Sequence, residues 1–143
     1  MLTNKGKYGL KAMVHLARLR ESEIAQVAQI AEANQIPKKF LDQIFADLRR
    51  AGLVYSKKGK AGGYALAKSP SDISIGQIIR AIDGPIAPFL CASASAYRPC
   101  GDCDEGVCAV RQLMIEARNA LSSVLDTRTL ADVRARPDVK EAA

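Results

Sequence analysis

All four cysteines of this chain fall between residues 91 and 108, spaced C-x8-C-x2-C-x4-C as Cys91, Cys100, Cys103 and Cys108. Thiolates are soft donors for zinc, copper(I) and iron–sulfur clusters, and they are nucleophiles whose reactivity follows their pKa. Thiols scattered at random over 143 residues would rarely crowd into one such stretch. The segment holding them, Gly84 to Gly106, is rich in Gly, Pro, Ala and Ser and has neither helical nor strand periodicity. A loop that long inside a compact chain is usually functional or disordered. Clustered cysteines on it predict a metal or redox site.

Several chemistries fit that spacing. Four thiolates are the standard ligand set of [2Fe–2S] and [4Fe–4S] clusters, so the loop could complete either one unaided. Pro99, Gly101 and Gly106 would let the backbone turn sharply around it. Zinc is the rival, since Cys100-x-x-Cys103 is half of an ordinary knuckle; Cys91 and Cys108 do not make the second half. A metal-free thiol switch is the third reading, with Arg98 and Arg111 near enough in sequence to depress a cysteine pKa. A thiol oxidoreductase would need a strand–helix–strand scaffold, and the pattern here is overwhelmingly helical. No Ser/His/Asp or paired-carboxylate arrangement stands out, so the chain reads as a non-enzyme without a small-molecule substrate. His15, the only histidine, sits among Met13, Val14 and Leu16 and reads as a packing residue; Tyr97 reads as structural.

The rest of the chain must position the loop. Its 143 residues make one domain, or one domain plus an appendage, and 48% hydrophobic residues suffice for a single core. No run of about 18 apolar residues occurs, so no membrane span is expected. The N-terminus leads into an amphipathic pattern, and a cytoplasmic setting, where thiols stay reduced, is expected. Residues 1–70 hold 13 Lys and Arg against 5 acids, and residues 71–143 hold 8 against 10. The basic character of the chain, net +6, thus belongs to the first half and points toward a polyanion such as nucleic acid.

Periodicity predicts a first helix over 5–20, with Leu10, Met13, Val14 and Ala17 on one face, and a second over 23–34. Ile36-Pro37 opens a third helix with the stripe Leu41, Ile44, Phe45 and Leu48, capped at Gly52. Its opposite face begins with Lys38, Lys39, Asp42 and Gln43. Strands over 53–56 and 64–67 flank a tip carrying Lys57, Lys58 and Lys60 among glycines. As a solvated hairpin that tip is ordinary. Beside a helix pair with a polar N-terminal face it becomes the wing of a winged helix-turn-helix, whose second helix enters the major groove of double-stranded DNA. Ser74 and Gln77 form a capping box for a helix ended by Asp83-Gly84-Pro85. A last helix over 107–126 carries Val107, Val110, Met114, Ala117, Leu121 and Val124 as a heptad seam. The seam favours self-association over packing on its own domain. The expected fold is mainly α with a small β-hairpin: a winged helix-turn-helix domain over 1–84, a cysteine-rich sensor loop over 85–106, and a dimerisation helix with C-terminal segment over 107–136. Residues beyond Arg136 read as a frayed tail.

These motifs, in this order, resemble the Rrf2 family of winged-helix transcription regulators, of the iron–sulfur cluster regulator type. The resemblance rests on Leu2-Thr3-Asn4-Lys5-Gly6-Lys7-Tyr8, Ile36 to Ile44, Leu48 to Val54, Gly59 to Tyr64, Ile78 to Gly84 and the cysteine loop. It covers about residues 1–130. It implies a homodimer on a palindromic promoter site, with long helices crossing at the interface and three loop cysteines holding an iron–sulfur cluster that tunes DNA binding. Matched from the last helix backward, Cys108 and Cys91 take the family's outer positions, and Cys100 or Cys103 the middle one. Two departures stand out. The family's best-known [2Fe–2S] member has a histidine ligand where this chain has Arg111, and the carboxylate ligand of another branch falls at Lys7. Many members also carry arginine at Lys58, and lysine lacks its planar fork.

Overall fold

The computed structural model describes residues 2–137. The expected tail beyond Arg136 falls, apart from Pro137, outside the described residues.

Thr3 caps helix α1 (Asn4–Ala17) through a hydrogen bond from the Gly6 amide to its Oγ, 3.1 Å. The helix stops earlier than periodicity suggests, at a turn that carries Ser22 into positive φ. Helix α2 (Val27–Asn34) starts four residues later than expected. Residues 23–26 are not helical because Ala25 makes an isolated antiparallel bridge to Tyr64, with amide–carbonyl bonds of 2.8 and 3.0 Å. Helix α3 (Lys38–Arg50) begins after Pro37, which stands at the cap rather than inside the first turn. Its stripe Leu41, Ile44, Phe45 and Leu48 is fully buried against Ala12 and Met13 of α1 and Ile30 of α2 in one hydrophobic core.

Strands β1 (Val54–Lys57) and β2 (Gly63–Leu66) pair antiparallel, Val54 opposite Leu66 and Lys57 opposite Gly63. A 3-10 turn at Pro70–Asp72 leads to α4 (Ile75–Asp83), where Ser74 and Gln77 make both bonds of the expected capping box. Its stripe Ile75, Ile78, Ile79 and Ile82 lines the core, and Gly84 ends it at φ 83°. The long loop contains one 3-10 turn, Leu90–Ala92.

Helix α5 (Ala109–Leu125) has no buried residue among those described. Two positions of the expected heptad seam, Val107 and Leu121, sit elsewhere, while Val110 and Val124 are exposed on the helix. Val107 lies before the helix and is 77% exposed, while Leu121 packs on the chain's own core. The large apolar residues exposed on α5 are Val110, Leu113 and Val124, a face rotated away from the domain. A short helix α6 (Leu130–Arg134), not foreseen, carries a Thr129–Asp132 capping box and the fully buried Leu130. It docks on α1, where the Arg134 guanidinium donates to the Ala17 carbonyl at 3.1 Å.

Candidate functional site

Two surfaces carry chemistry. The first is the exposed side of α3. Lys38, Lys39, Asp42 and Gln43 are all exposed over its first two turns, opposite the buried stripe. The helix N-terminus adds its own positive potential to the two lysines. Gln43 donates to Asp47 at 3.2 Å, so its amide nitrogen is already engaged. Asp47 also receives Lys5 at 2.6 Å and Arg50 at 3.3 Å. Burial pushes its carboxyl up, but bonds and charge from Lys5, with Gln43 and Arg50, outweigh that and leave its pKa below the ordinary value. Phe40, missed by the sequence reading, is an exposed ring against Tyr8, centroids 5.7 Å apart, with the Lys39 ammonium 5.4 Å from its centre.

Lys57, Lys58 and Lys60 are exposed on the wing beside that helix. The wing is less free than its glycines suggest. Tyr64 stacks on Phe45 of α3 at 4.3 Å, and the Gln26 amide donates to the Lys60 carbonyl at 3.1 Å. A Cβ at Gly63 would lie 2.2 Å from the Ala25 carbonyl oxygen, so glycine there permits the Ala25 backbone to approach. These contacts hold the basic tip at a set position relative to the exposed side of α3.

The second surface is a cleft of about 590 Å³ lined by all four cysteines together with Arg98 and Arg111. The Cys100 thiol donates to the Asp102 carboxylate at 2.8 Å. Ligand atoms of Cys100, Asp102 and Cys103 lie within 4.8 Å of one another. Cys108 caps α5, its sulfur accepting the Arg111 amide at 3.4 Å. The exposed Cys103 thiol is pushed up to about 12, first by its hydrogen bond with Cys100, then by desolvation and the charges of Cys100 and Cys108. Crowded sulfurs resist ionisation without a cation, and a bound metal reverses that by deprotonating its thiol ligands. The thiol-rich donor set therefore fits a soft metal or an iron–sulfur cluster.

A polar scaffold holds the cleft. Arg111 cannot take the place of a histidine ligand; instead its Nε donates to the Cys91 carbonyl at 2.8 Å. One heptad on, Arg118 donates to the Ala92 carbonyl at 2.7 Å. Glu105 accepts from the Tyr97 hydroxyl and from the Cys100 amide, and lies 3.9 Å from Arg111. Those bonds hold the Glu105 carboxyl below its usual range, Tyr97 contributing most, while Tyr97 is raised in return. Tyr97 is thus tied into the polar scaffold of the cleft through Glu105. Glu105, Arg118 and Asp102 were not singled out in the sequence. The seven-residue spacing of Arg111 and Arg118 on one helix face was the available signal; nothing local marked Glu105.

His15 lies outside both surfaces, in an open groove of about 770 Å³ among α1, α2 and α6. Asn34 shares a 3.1 Å hydrogen bond with its Nδ1, and burial, then Arg18, lowers its pKa.

A family model described as Rrf2, iron-dependent transcriptional regulator, matches residues 2–136. The chain is 45% identical over 139 residues to an HTH-type transcriptional regulator, rrf2-like, of Rhodobacter capsulatus, covering 94% of this chain and 93% of the relative. It is 33% identical over 141 residues to the HTH-type transcriptional regulator IscR of Photobacterium profundum, covering 98% and 78%. The solved structure of CymR, described as the global cysteine regulator of B. subtilis, superposes with a TM-score of 0.79 at 36% identity, covering 96% of this chain and 98% of that one.

Proposed function

The chain belongs to the Rrf2 family of DNA-binding transcriptional regulators, and from that premise we propose a homodimer on a palindromic promoter site whose affinity is set by an iron–sulfur cluster. The carrying observation is that four thiols from separate points of one loop open on a single cleft at the start of α5. Cys91, Cys100, Cys103 and Cys108 would hold a [2Fe–2S] or [4Fe–4S] cluster, which supplies reversible redox chemistry and a cross-link among loop positions. No membrane or small-molecule substrate enters this reading, and the protein works in the cytoplasm.

On DNA, the first turns of α3 enter the major groove. Gln43 exchanges its bond to Asp47 for adenine, Asp42 accepts from cytosine, and Lys38 and Lys39 serve guanine or phosphate. Lys57, Lys58 and Lys60 of the wing meet the backbone or minor groove. The exposed Val110, Leu113 and Val124 face pairs with its copy, placing two recognition helices on half-sites about 34 Å apart. Arg111 and Arg118 tie the Cys91 turn to α5, so ordering of the loop reaches the dimer helix through them.

Operator affinity of anaerobically purified holo-protein, compared with apo-protein, tests the coupling; equal affinity and equal sequence preference would sink it. Lys58→Ala should weaken binding to all sequences and flatten the log–log salt slope by about 0.9, one phosphate's worth. An unchanged slope removes Lys58 from the interface. Zinc, or a metal-free dithiol at Cys100 and Cys103, is the second reading, favoured by the closeness of those two sulfurs. A colourless protein lacking visible charge-transfer absorption would select it.

A further inference from the structure

Four thiols and one carboxylate compete for the ligand positions of this loop, and the structure does not treat them alike. Three cysteines are anchored from outside the sulfur group. Cys91 is fixed through its carbonyl by Arg111, Cys100 through its amide by Glu105, and Cys108 as the cap of α5. Arg111 and Glu105 lie 3.9 Å apart, so these three anchors form one network. Cys103 stands apart. It is exposed, and among the described residues no hydrogen bond or ion pair fixes it from beyond the Cys100–Cys108 group. Next to it, Asp102 brings a carboxylate oxygen to 2.8 Å from the anchored Cys100 sulfur. A carboxylate oxygen of Asp102 and the Cys100 and Cys103 sulfurs all lie within 4.8 Å of one another.

We propose that the fourth ligand position is shared: Cys103 is the replaceable thiol, and the Asp102 carboxylate takes its place when Cys103 is missing or blocked. The inference rests on the iron–sulfur reading above. Carboxylate is a harder donor than thiolate, so the exchange alters the electronic character of the site without emptying it. Loss of one exposed thiol then changes the signal the loop sends rather than ending it.

The test is anaerobic reconstitution of the full chain with iron and sulfide, reading both contents per protomer together with the absorption spectrum. Wild type, Cys103→Ala, Asp102→Asn, the double variant and Cys91→Ala are compared. Cys103→Ala should hold iron and sulfide at the wild-type level with shifted charge-transfer bands. Asp102→Asn should match wild type. The double variant and Cys91→Ala should each fall at least about tenfold. Far-ultraviolet circular dichroism of the apo forms checks folding; should Cys103→Ala not fold, Cys103→Ser with and without Asp102→Asn replaces it. An empty Cys103→Ala beside a loaded wild type overturns the proposal alone, as does a fully loaded double variant. A wild type that takes up no iron overturns the proposal together with the reading beneath it.

Discussion

The two ends of α5 are attached to the molecule in different ways. At its C-terminal end, Arg80 clasps Asp126 with two bonds of 2.6 and 2.9 Å. Gly76 makes room for them, since a Cβ there would lie 1.9 Å from the Asp126 oxygen. Just beyond, Ile75 donates to the Arg128 carbonyl and Leu130 to that of Ile73, both at 3.0 Å, and the Leu130 side chain is fully buried. Toward the N-terminal end the hydrogen bonds that fix the helix are made by side chains to the loop. Arg111 in the first turn and Arg118 at mid-helix reach loop carbonyls, and a cysteine caps the helix. Apolar burial and backbone pairing make one end a pivot. Polar ties to the cysteine loop leave the other end to be set by whatever orders that loop.

The largest expected effect tests the pivot. Leu130→Ala should lower the unfolding free energy by about 2–5 kcal/mol, the cost of a core cavity, read from the urea midpoint. An unmoved midpoint would mean that α6 is an appendage and that the helix pivots elsewhere. The loop end should behave oppositely. Arg118→Ala removes a hydrogen bond whose net worth to global stability is about 1–3 kcal/mol at most, a charged donor to a carbonyl. Its distinctive signature is local: amide exchange over 89–106 should accelerate while α4 and α6 keep their protection. Equal acceleration in all three would erase the distinction between the ends.

The pivot and the loop were also unequally legible in the sequence. The buried stripes of α3 and α4 were readable because three- and four-residue spacing survives any tertiary arrangement. So was the Ser74–Gln77 box, a contact between residues three apart. Helix α6 was not readable, since five residues are too few to show a period. The start of α2 was misjudged because pairing of Ala25 with Tyr64, 39 positions away, overrode local helical preference. On α5 the apolar residues form a broad band. Leu121 belongs to the domain core and Leu113 to the open face, and spacing alone does not divide them. The cysteines announced a site by composition. Their anchors did not, because Arg111 meets Cys91 across 20 residues.

The smallest expected effect probes what the ion pair adds to the pivot. The Arg80 hydrogen bond lowers the Asp126 pKa, burial opposes it, and the Arg80 charge adds to it. A carboxylate with a depressed folded pKa stabilises the fold above its unfolded value, near 3.8, and that contribution is lost as pH falls through the lowered value. Asp47 contributes in the same direction through Lys5, so acid sensitivity persists without Asp126. Asp126→Asn should therefore flatten only part of the stability loss below about pH 4, near the ordinary carboxylate range. The side chains of Arg80 and Asp126 are 38% and 39% exposed, and solvent screening holds the neutral-pH cost to under about 1 kcal/mol. Urea unfolding at pH 7, 4 and 3 reads both quantities. Superimposable wild-type and Asp126→Asn pH profiles would assign the fixed end of α5 to Leu130 and the backbone bridge alone, leaving Arg80 to orient the helix without stabilising it.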